Sequence, residues 1–348
     1  MKRVGNLYKK IIDEDNIRLA IKNAAKGKTN RKVVNKVRNN IEYYVKDIKK
    51  ILLSGNYEPR PYIQKHIFDG ARHKERTINK PAFYPDQVIH WCLLQVIEPI
   101  IMRGAYKWTC ASIKDRGLLY CQKYVEKAIR KKYKYYVKLD IKKFYPSIDK
   151  TILKNKFRKI IKDNDTLKLL DIIVDSYKDR GVPIGNYTSQ FFANYYLQDF
   201  DHFIKEKLNI RHYVRYMDDL LLFGNNKRKL RRQIVEITNF LKDIKLEIKE
   251  DRTLAKITDK PFTYCGRKFY KDHTTIKSST FLRIRRRLIR IYKKRYISLN
   301  DARAIISYYG ILKHTNSFNF TIKYVFSIGL KKCKEVIRNE SRKQYQAI

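Results

Sequence analysis

The fold of this chain is decided by one stretch, YVRYMDDLLLFG, which spans residues 213–224. Apolar residues on both sides of an acidic pair predict two short strands, joined by a tight turn that carries Asp218 and Asp219. Two like charges at such a turn repel each other, and a divalent cation would offset that repulsion. Taken alone, the pair also fits ordinary turn chemistry, because aspartate favours bends.

A third carboxylate ends another strand-like run. Asp140 follows YVKL at residues 136–139, and the aromatic pair Phe144 and Tyr145 comes shortly after it. Mg²⁺ binds few carboxylates and completes its coordination with water and phosphate oxygens. Two such ions can activate a hydroxyl and stabilise departing pyrophosphate in phosphoryl transfer. The three carboxylates together therefore predict a two-metal phosphoryl-transfer site.

The charge of the chain predicts a polyanionic partner. Lys and Arg number 79 against 34 Asp and Glu, which gives a formal net charge of +45. A Lys-rich composition from an AT-rich genome explains part of this excess, but such a bias should raise the acidic residues as well. The excess therefore indicates nucleic-acid binding. Membrane association is not expected, because there is no 18-residue apolar run and the basic stretches lack one-sided aromatic faces.

Local patterns outline the N-terminal part of the chain. Acidic and capping groups at residues 13–16 predict a helix start. Apolar residues at three- and four-residue spacing, Val33 among them, predict one continuous helix from residue 31 to residue 54. Strand-like runs at residues 62–68 and 75–78 predict a hairpin.

The cysteines argue against a metal or disulfide framework. The five are scattered without a CxxC pair, so we expect neither a zinc site nor disulfides, and a cytoplasmic location in a reducing environment. The N-terminus lacks the apolar stretch of a signal peptide. The cysteines are Cys92, Cys110, Cys121, Cys265 and Cys333.

The composition changes after Thr275, where a strongly basic helical segment begins. Leu282, Ile284, Leu288 and Ile291 predict a buried face for its first helix. The remaining surface is dense in positive charge, which favours contact with phosphates over a merely solvated face. The basic residues are Arg283, Arg285, Arg286, Arg287, Arg290, Lys293, Lys294 and Arg295.

Several motifs resemble those of reverse transcriptases, in the family's order. YMDD at residues 216–219 is similar to the Tyr-x-Asp-Asp box, and LDIKKFYPSID at 139–149 to the first catalytic motif. GVPIGNYTSQ at 181–190 resembles the motif between them. KERTINKP at 74–81 is similar to the fingers motif, and YCG at 264–266 stands at the primer grip.

The resemblance implies an α+β right-hand polymerase with fingers, a palm built on a small antiparallel sheet, and a helical thumb. We expect N-terminal helices and fingers at 1–132, and the palm at 133–274 with fingers residues interleaved at about 150–185. The basic thumb is expected at 275–348. No RNase H or endonuclease domain is expected after the thumb.

The resemblance also implies roles for individual residues. Asp140, Asp218 and Asp219 would bind two Mg²⁺ ions, with the backbone carbonyl of Ile141 as a further ligand. Lys249, or alternatively Arg252, is the candidate general acid for pyrophosphate, since an ammonium can lose a proton and a guanidinium essentially cannot.

Substrate-binding roles are implied for further residues. Lys74 and Arg76 would bind the incoming triphosphate, unless they are simply exposed. Tyr145 would be the steric gate against a ribose 2′-hydroxyl, unless it is a core aromatic. The remaining expectations are Ile184 and Gln190 at the nascent base pair, Cys265 and Gly266 at the primer, and Arg283, Arg286, Arg287 and Arg290 on the nucleic-acid backbone.

The expected function is therefore RNA-directed DNA synthesis from dNTPs, with template RNA and an RNA/DNA hybrid as partners. The Ile-Gly-x-x-x-Ser-Gln form at residues 184–190 resembles diversity-generating retroelements, whose error-prone enzymes use a small basic accessory protein. Departures at residues 84–87 and 250–253 make a phage-defence reverse transcriptase a serious alternative. A non-catalytic RNA-binding scaffold and a group II intron maturase are less favoured.

Overall fold

Four helices begin the chain and pack against one another. The structure, a computed structural model, describes residues 2–28, 30–69, 74–258 and 260–346. The Asp13 carboxylate caps the second helix by accepting from the backbone N–H groups of Asp15 and Asn16, which confirms the predicted helix start. The four helices are α1 (Leu7–Ile11), α2 (Glu14–Ala25), α3 (Lys32–Asn39) and α4 (Ile41–Leu53).

The predicted single helix between residues 31 and 54 is wrong. It is broken at Asn40, whose backbone leaves the helical region (φ −123°, ψ 44°) and whose side-chain amide donates to the Lys36 carbonyl. Asparagine competes in this way for backbone partners and so favours helix ends. The buried face also differs from the predicted one, because Val34 is buried while Val33 is 57% exposed.

The fingers hairpin follows and confirms the predicted strand pair. Strands β1 (Ile63–Asp69) and β2 (Lys74–Lys80) pair antiparallel, while residues 70–73 of the predicted turn lie outside the described residues. A short π-helical turn (Phe83–Gln87) leads into α5 (Val88–Ile101), and α6 (Leu118–Arg130) comes next.

The central sheet has four strands in the order β4-β5-β3-β6, all antiparallel. They are β3 (Tyr135–Asp140), β4 (His212–Tyr216), β5 (Asp219–Gly224) and β6 (Thr253–Lys256). Leu220 and Leu222 face the main hydrophobic core, whereas Leu221 and Phe223 face a second core on the other side. Burial of both faces explains why residues 220–223 are apolar without alternation.

Within the described residues, six α-helices and a π-helical turn (Phe203–Lys207) lie between these strands along the chain. The main core joins this sheet to helical residues such as Phe157, Phe192 and Leu241. The helices are α7 (Phe144–Ser147), α8 (Lys150–Ile160), α9 (Asn164–Asp175), α10 (Tyr187–Tyr196), α11 (Gln198–His202) and α12 (Lys227–Asp243).

The C-terminal part has a hydrophobic core of its own, around Ile284, Leu288 and Ile305. Leu282 is 44% exposed, so its predicted place on the buried face is wrong. The buried positions Ile284, Leu288 and Ile291 follow helical spacing, and residue 282 falls outside that stripe. The elements are β7 (Phe262–Tyr264), β8 (Arg267–Phe269), β9 (Thr274–Ile276), α13 (Ser278–Tyr292), α14 (Leu299–Leu312), α15 (Phe318–Thr321), a π-helical turn (Ile322–Phe326) and α16 (Leu330–Gln346).

The loop at residues 181–185 packs closely against two other segments at its two glycines. Gly181 (φ +82°) lies against the backbone of Tyr145 and Pro146, and Gly185 (φ +106°) against Ile78. The backbone N–H of Val182 donates to the Tyr145 carbonyl at 3.0 Å. A side chain at either glycine would separate these segments.

Among the helices of the described residues, none combines the length and the apolar composition that a membrane span requires.

Gly181→Ala should lower the free energy of unfolding by about 3 kcal/mol or more. Its Cβ would lie 2.3 Å from the Tyr145 carbonyl oxygen, in a backbone conformation that already disfavours alanine. Urea unfolding measures the change. Gly27→Ala is the matched control, because Gly27 has φ +71° but no atom within 4 Å of the added Cβ, so about 1 kcal/mol is expected. Equal losses in both variants would contradict the close-packing account.

Candidate active site

The strand register brings the three predicted carboxylates together. Asp140, the last residue of β3, pairs directly with Asp219, the first residue of β5. Asp218 lies on the turn between β4 and β5, and its backbone carbonyl accepts from the Ile141 N–H at 3.1 Å. Residues opposite each other in an antiparallel pair lie about 5 Å apart. The site thus concentrates negative charge where three strand ends meet.

This concentration of charge is electrostatically unfavourable for the free protein. Burial raises the pKa of Asp218 above its ordinary value, and the neighbouring Asp140 charge raises it further. Burial also raises the pKa of Asp219, and with the charges of Asp140 and Asp218 it reaches about 6. Raised carboxyl pKa values mean that the folded site resists ionisation. A cation at this position would relieve the repulsion.

Two basic side chains face the carboxylates. The Lys249 ammonium contacts Asp140, and the Lys249 backbone N–H donates to the Asp140 carbonyl at 2.8 Å. Partial burial works to lower the pKa of Lys249, but the contact with Asp140 raises it overall. The positive charge of Arg76, on β2, lowers the pKa of Asp218. The Lys74 side chain lies outside the described residues.

The donors present fit magnesium in part. No three His, Cys, Asp or Glu side chains among the described residues are arranged as a ready-made metal cage. Mg²⁺ rarely uses such an all-protein cage and takes one or two carboxylates together with substrate phosphates. Partly buried, mutually repelling carboxylates supply that donor chemistry. The assignment of Asp140, Asp218 and Asp219 as metal ligands stays a prediction.

The predicted nucleotide-contact residues surround the carboxylates unevenly. Tyr145 lies on α7; burial raises its pKa, and the Asp218 charge raises it further. Ile184 is 38% exposed, and its backbone carbonyl accepts from the Asn79 N–H of β2 at 2.7 Å. Gln190 is exposed on α10. Their contacts with substrate stay predictions.

A buried ion pair behind the turn was missed by the sequence analysis. Arg215 and Asp201 are fully buried, and the guanidinium donates to both carboxylate oxygens at 2.8 and 2.6 Å. The Arg215 Nη1 also donates to the carbonyl of Met217 at 3.0 Å. Met217 has a left-handed backbone (φ +58°) that the β4–β5 turn requires. A lone arginine within an apolar strand was the available signal, because such a charge needs a buried partner.

The hairpin β7–β8 supports the turn from the other side. The Tyr264 hydroxyl donates to the Asp219 carbonyl at 2.9 Å. Cys265 and Gly266 form the tip of this hairpin with positive φ values of 46° and 76°. The thiol pKa of Cys121 is raised by contacts with Cys110 and Cys265, so three cysteines scattered in the sequence meet here. The primer-grip role of residues 265–266 stays a prediction.

The predicted phosphate-contact residues form one exposed stripe on α13. Arg283, Arg286, Arg287 and Arg290 are all exposed, and their spacing places them on one helix face. That face borders the stripe buried in the C-terminal core. Arg287 also donates to the Asn300 carbonyl at 3.4 Å.

The fold and the carboxylate site define a right-hand polymerase. The solved telomerase from Candida albicans, in complex with a TWJ fragment of telomeric RNA, shares the fold at a TM-score of 0.51 and 12% identity, covering 88% of this chain and 58% of that one. Truncated apo telomerase from Candida tropicalis matches at a TM-score of 0.47 and 14% identity, over 65% and 58% of the two chains.

The family follows from a sequence comparison. Residues 81–269 match the reverse transcriptase (RNA-dependent DNA polymerase) family, and the chain belongs to that family. The Ec73 retron reverse transcriptase of Escherichia coli is 31% identical over 167 residues, which is 44% of this chain. This chain matches half the length of that relative.

Asp219→Asn should stabilise the metal-free protein at pH 7 by about 1–3 kcal/mol, because it removes a carboxylate whose pKa is raised in the fold. The folded pKa of about 6 exceeds the ordinary 3.8, so the ionisation penalty is present above pH 6. The gain should vanish as the pH falls from about 6 toward 4. Urea unfolding with EDTA across this range measures it, with the exposed Asp243→Asn as control. A destabilised Asp219→Asn protein at pH 7 would contradict the repulsion.

Proposed function

We propose that this protein is an RNA-directed DNA polymerase, which copies an RNA template into cDNA by phosphoryl transfer at Asp140, Asp218 and Asp219. The observation that carries the proposal is the β3–β5 register, which sets Asp140 opposite Asp219 beside the Asp218 turn. In a member of the reverse transcriptase family, paired carboxylates at these strand ends are best explained by catalysis. A scaffold that only bound RNA would have no use for such repulsion.

The carboxylates and their neighbours divide the chemistry. Two Mg²⁺ ions held by Asp140 and Asp218, with Ile141 as a backbone ligand and Asp219 acting more weakly, would activate the primer 3′-hydroxyl and neutralise the pyrophosphate. Lys249 faces Asp140 and is our candidate for protonating the leaving pyrophosphate. Because its pKa is raised, the Lys249 ammonium stays protonated while it contacts the Asp140 carboxylate.

The incoming dNTP is proposed to bind between fingers and palm. The Arg76 charge acts on Asp218, whose pKa it lowers, and its guanidinium would offer a bidentate fork to phosphate oxygens. Lys74 would add a second charge. Tyr145 would exclude a ribose 2′-hydroxyl. Ile184 presents an apolar surface to the nascent pair, with Gln190 as a polar contact, and such a surface discriminates less sharply than a hydrogen-bonding one.

Template RNA and the RNA/DNA hybrid are proposed to bind the palm and thumb. The arginine stripe of α13 would track the phosphate backbone, and Cys265 and Gly266 would hold the primer end. We retain the proposed division into N-terminal helices and fingers (1–132), palm (133–274) and thumb (275–348). The separate core around Ile284 and Leu288 supports the last of these.

Two settings for this activity remain as proposals. Residues 184–190 favour the error-prone enzyme of a diversity-generating retroelement, acting with a small basic accessory protein. The similarity to an Escherichia coli retron reverse transcriptase favours the second candidate, a bacterial enzyme outside that class, such as the phage-defence polymerase. Ile184 is exposed, so its apolar side chain is free to contact a nascent base pair, which supports low fidelity.

Primer extension on a defined RNA template with Mg²⁺ tests the activity. Wild type should make cDNA, and Asp218→Asn/Asp219→Asn should lower the rate by more than about a thousandfold, because the metal ligands are lost. Asp243→Asn, an exposed carboxylate on α12, is the matched control and should extend normally. No wild-type product, even with the native RNA and neighbouring gene products supplied, would contradict the proposal.

Sequencing the same products distinguishes the two settings. Errors concentrated at template adenines would favour the diversity-generating enzyme. Accurate copies would favour the second candidate.

A further inference from the structure

The base of the fingers hairpin is joined by hydrogen bonds to the Ile184 loop (residues 181–185). Tyr62 directly precedes β1, and Asn79 is the second-last residue of β2, so both lie where the hairpin meets the rest of the chain. The Asn79 backbone N–H donates to the Ile184 carbonyl at 2.7 Å. The strand that carries Lys74 and Arg76 therefore ends against the loop that carries Ile184.

The Tyr62 hydroxyl both donates and accepts a hydrogen bond. It lies 2.9 Å from Ser176 Oγ, at the C-terminal end of α9. The Ser176 hydroxyl already donates its proton to the Ile173 carbonyl at 2.7 Å, so the proton between the two hydroxyls comes from Tyr62. The Asn186 side-chain amide donates to the Tyr62 oxygen at 3.1 Å. Burial raises the pKa of Tyr62, which keeps the phenol protonated and able to donate.

Asn186 connects the Tyr62 hydroxyl to the loop and to α10. Its side chain is 3% exposed. The amide oxygen accepts from the Thr188 N–H at 3.4 Å, which caps α10, and it lies 3.1 Å from His90 Nδ1 on α5. Both ends of the amide are thus bonded. Because Asn186 comes two residues after Ile184, fixing the amide also fixes the backbone that presents Ile184.

A second connection runs through the side chain of Asn79. This side chain is 4% exposed, and its amide nitrogen donates to the Tyr177 hydroxyl at 3.3 Å. Tyr177 packs edge-on against Tyr62, with 5.8 Å between ring centroids and 81° between their planes. Buried polar networks of this kind favour one arrangement of the segments that they join. The hairpin base, the end of α9 and residues 184–186 are therefore held in one arrangement.

These contacts join the two groups of residues to which the proposed function assigns the incoming nucleotide. Lys74 and Arg76, proposed for the triphosphate, lie on β2, while Ile184 and Gln190, proposed for the nascent base pair, lie on the loop and on α10. Groups that act on one substrate have to be held to within a fraction of an ångström of each other. A residue that fixes the two segments thus affects selection without touching the substrate.

We propose that Tyr62 is a positioning residue for nucleotide selection, which acts by holding the Ile184 loop against the base of the fingers hairpin. The inference rests on the proposed polymerase function. Loss of the hydroxyl leaves the Asn186 amide without its acceptor and loosens the loop, so Ile184 no longer presents a fixed surface to the nascent pair. Matched nucleotides then bind less tightly, and mismatched ones are rejected less sharply.

Tyr62→Phe removes the hydroxyl and keeps the ring. In primer extension it should raise the KM for the matched dNTP about fivefold or more and the misincorporation frequency about threefold or more, with kcat within about twofold of wild type. The matched control is Tyr57→Phe, which removes a buried hydroxyl that donates to Asp86 at 2.8 Å. The control should lower the urea midpoint at least as much, yet leave KM and misincorporation within about twofold of wild type.

Two further variants test whether the effect passes through the loop. In an Ile184→Ala background, Tyr62→Phe should change the misincorporation frequency by less than about 1.5-fold, because the surface that it positions is gone. Ser176→Ala leaves the Tyr62 hydroxyl without its acceptor and should raise KM in the same direction. This variant decides the question if Tyr62→Phe folds poorly.

Hydrogen exchange measures the positioning without polymerase activity. The Asn79 N–H is bonded to the Ile184 carbonyl, and the Thr188 N–H to the Asn186 side chain. Both amides should exchange about tenfold faster in Tyr62→Phe and at most about twofold faster in Tyr57→Phe, measured by mass spectrometry of the peptides that contain them. If wild type made no cDNA, the proposed function would be contradicted, and this comparison would still decide whether Tyr62 holds the loop.

Any of three results would overturn the proposal. The first is an equal effect of Tyr62→Phe and Tyr57→Phe on KM and misincorporation, which would mean that the Tyr62 hydroxyl contributes only to stability. The second is a lower kcat in Tyr62→Phe with KM and misincorporation unchanged, which would place its effect on the chemical step. The third is unchanged exchange of the Asn79 and Thr188 amides in Tyr62→Phe.

Discussion

The buried ion pair between Arg215 and Asp201 is the interaction on which the presentation of the carboxylates depends. Asp201 also accepts from the Tyr213 hydroxyl at 2.7 Å and the Thr109 hydroxyl at 3.0 Å, so its charge is fully bonded. Buried charges are tolerable only when satisfied in this way, and removing one partner typically costs 3–5 kcal/mol. The network ends at the Met217 carbonyl, in the turn itself. A rigid, satisfied cluster thus holds a turn whose own charges repel.

The repulsion between these carboxylates is an energetic cost that we attribute to their proposed role in catalysis. The raised pKa values of Asp218 and Asp219 show that the fold disfavours the ionised form of each carboxyl group. The strand register keeps these carboxylates close together, because Asp140 is paired opposite Asp219 in a sheet that is buried on both faces. The positive charges of Lys249 and Arg76 offset part of this negative charge, because both lower the pKa of Asp218. A bound substrate with its cations would neutralise the remaining negative charge of the carboxylates.

Local patterns predicted much of this arrangement. The acidic hairpin, the β3 strand before Asp140 and the capped start of α2 are written in neighbouring residues, so the sequence was sufficient for them. The break at Asn40 was not foreseen, because the apolar spacing continues through it. Asp201 could not be matched to Arg215, since it lies on a helix whose place beside β4 is set by tertiary packing. The contacts among Cys110, Cys121 and Cys265 likewise depend on segments brought together from distant parts of the chain.

We propose that Asp140, Asp218 and Asp219 form a divalent-cation site whose carboxylates repel one another when no cation is bound. Titration with Mn²⁺, followed by electron paramagnetic resonance in the presence of a non-hydrolysable dNTP, tests it most directly. We predict saturable binding to wild type and to the control Asp243→Asn, with a loss of about tenfold or more in affinity for Asp218→Asn/Asp219→Asn. Unchanged Mn²⁺ affinity in that double variant would contradict the claim, because the ion would then be bound elsewhere.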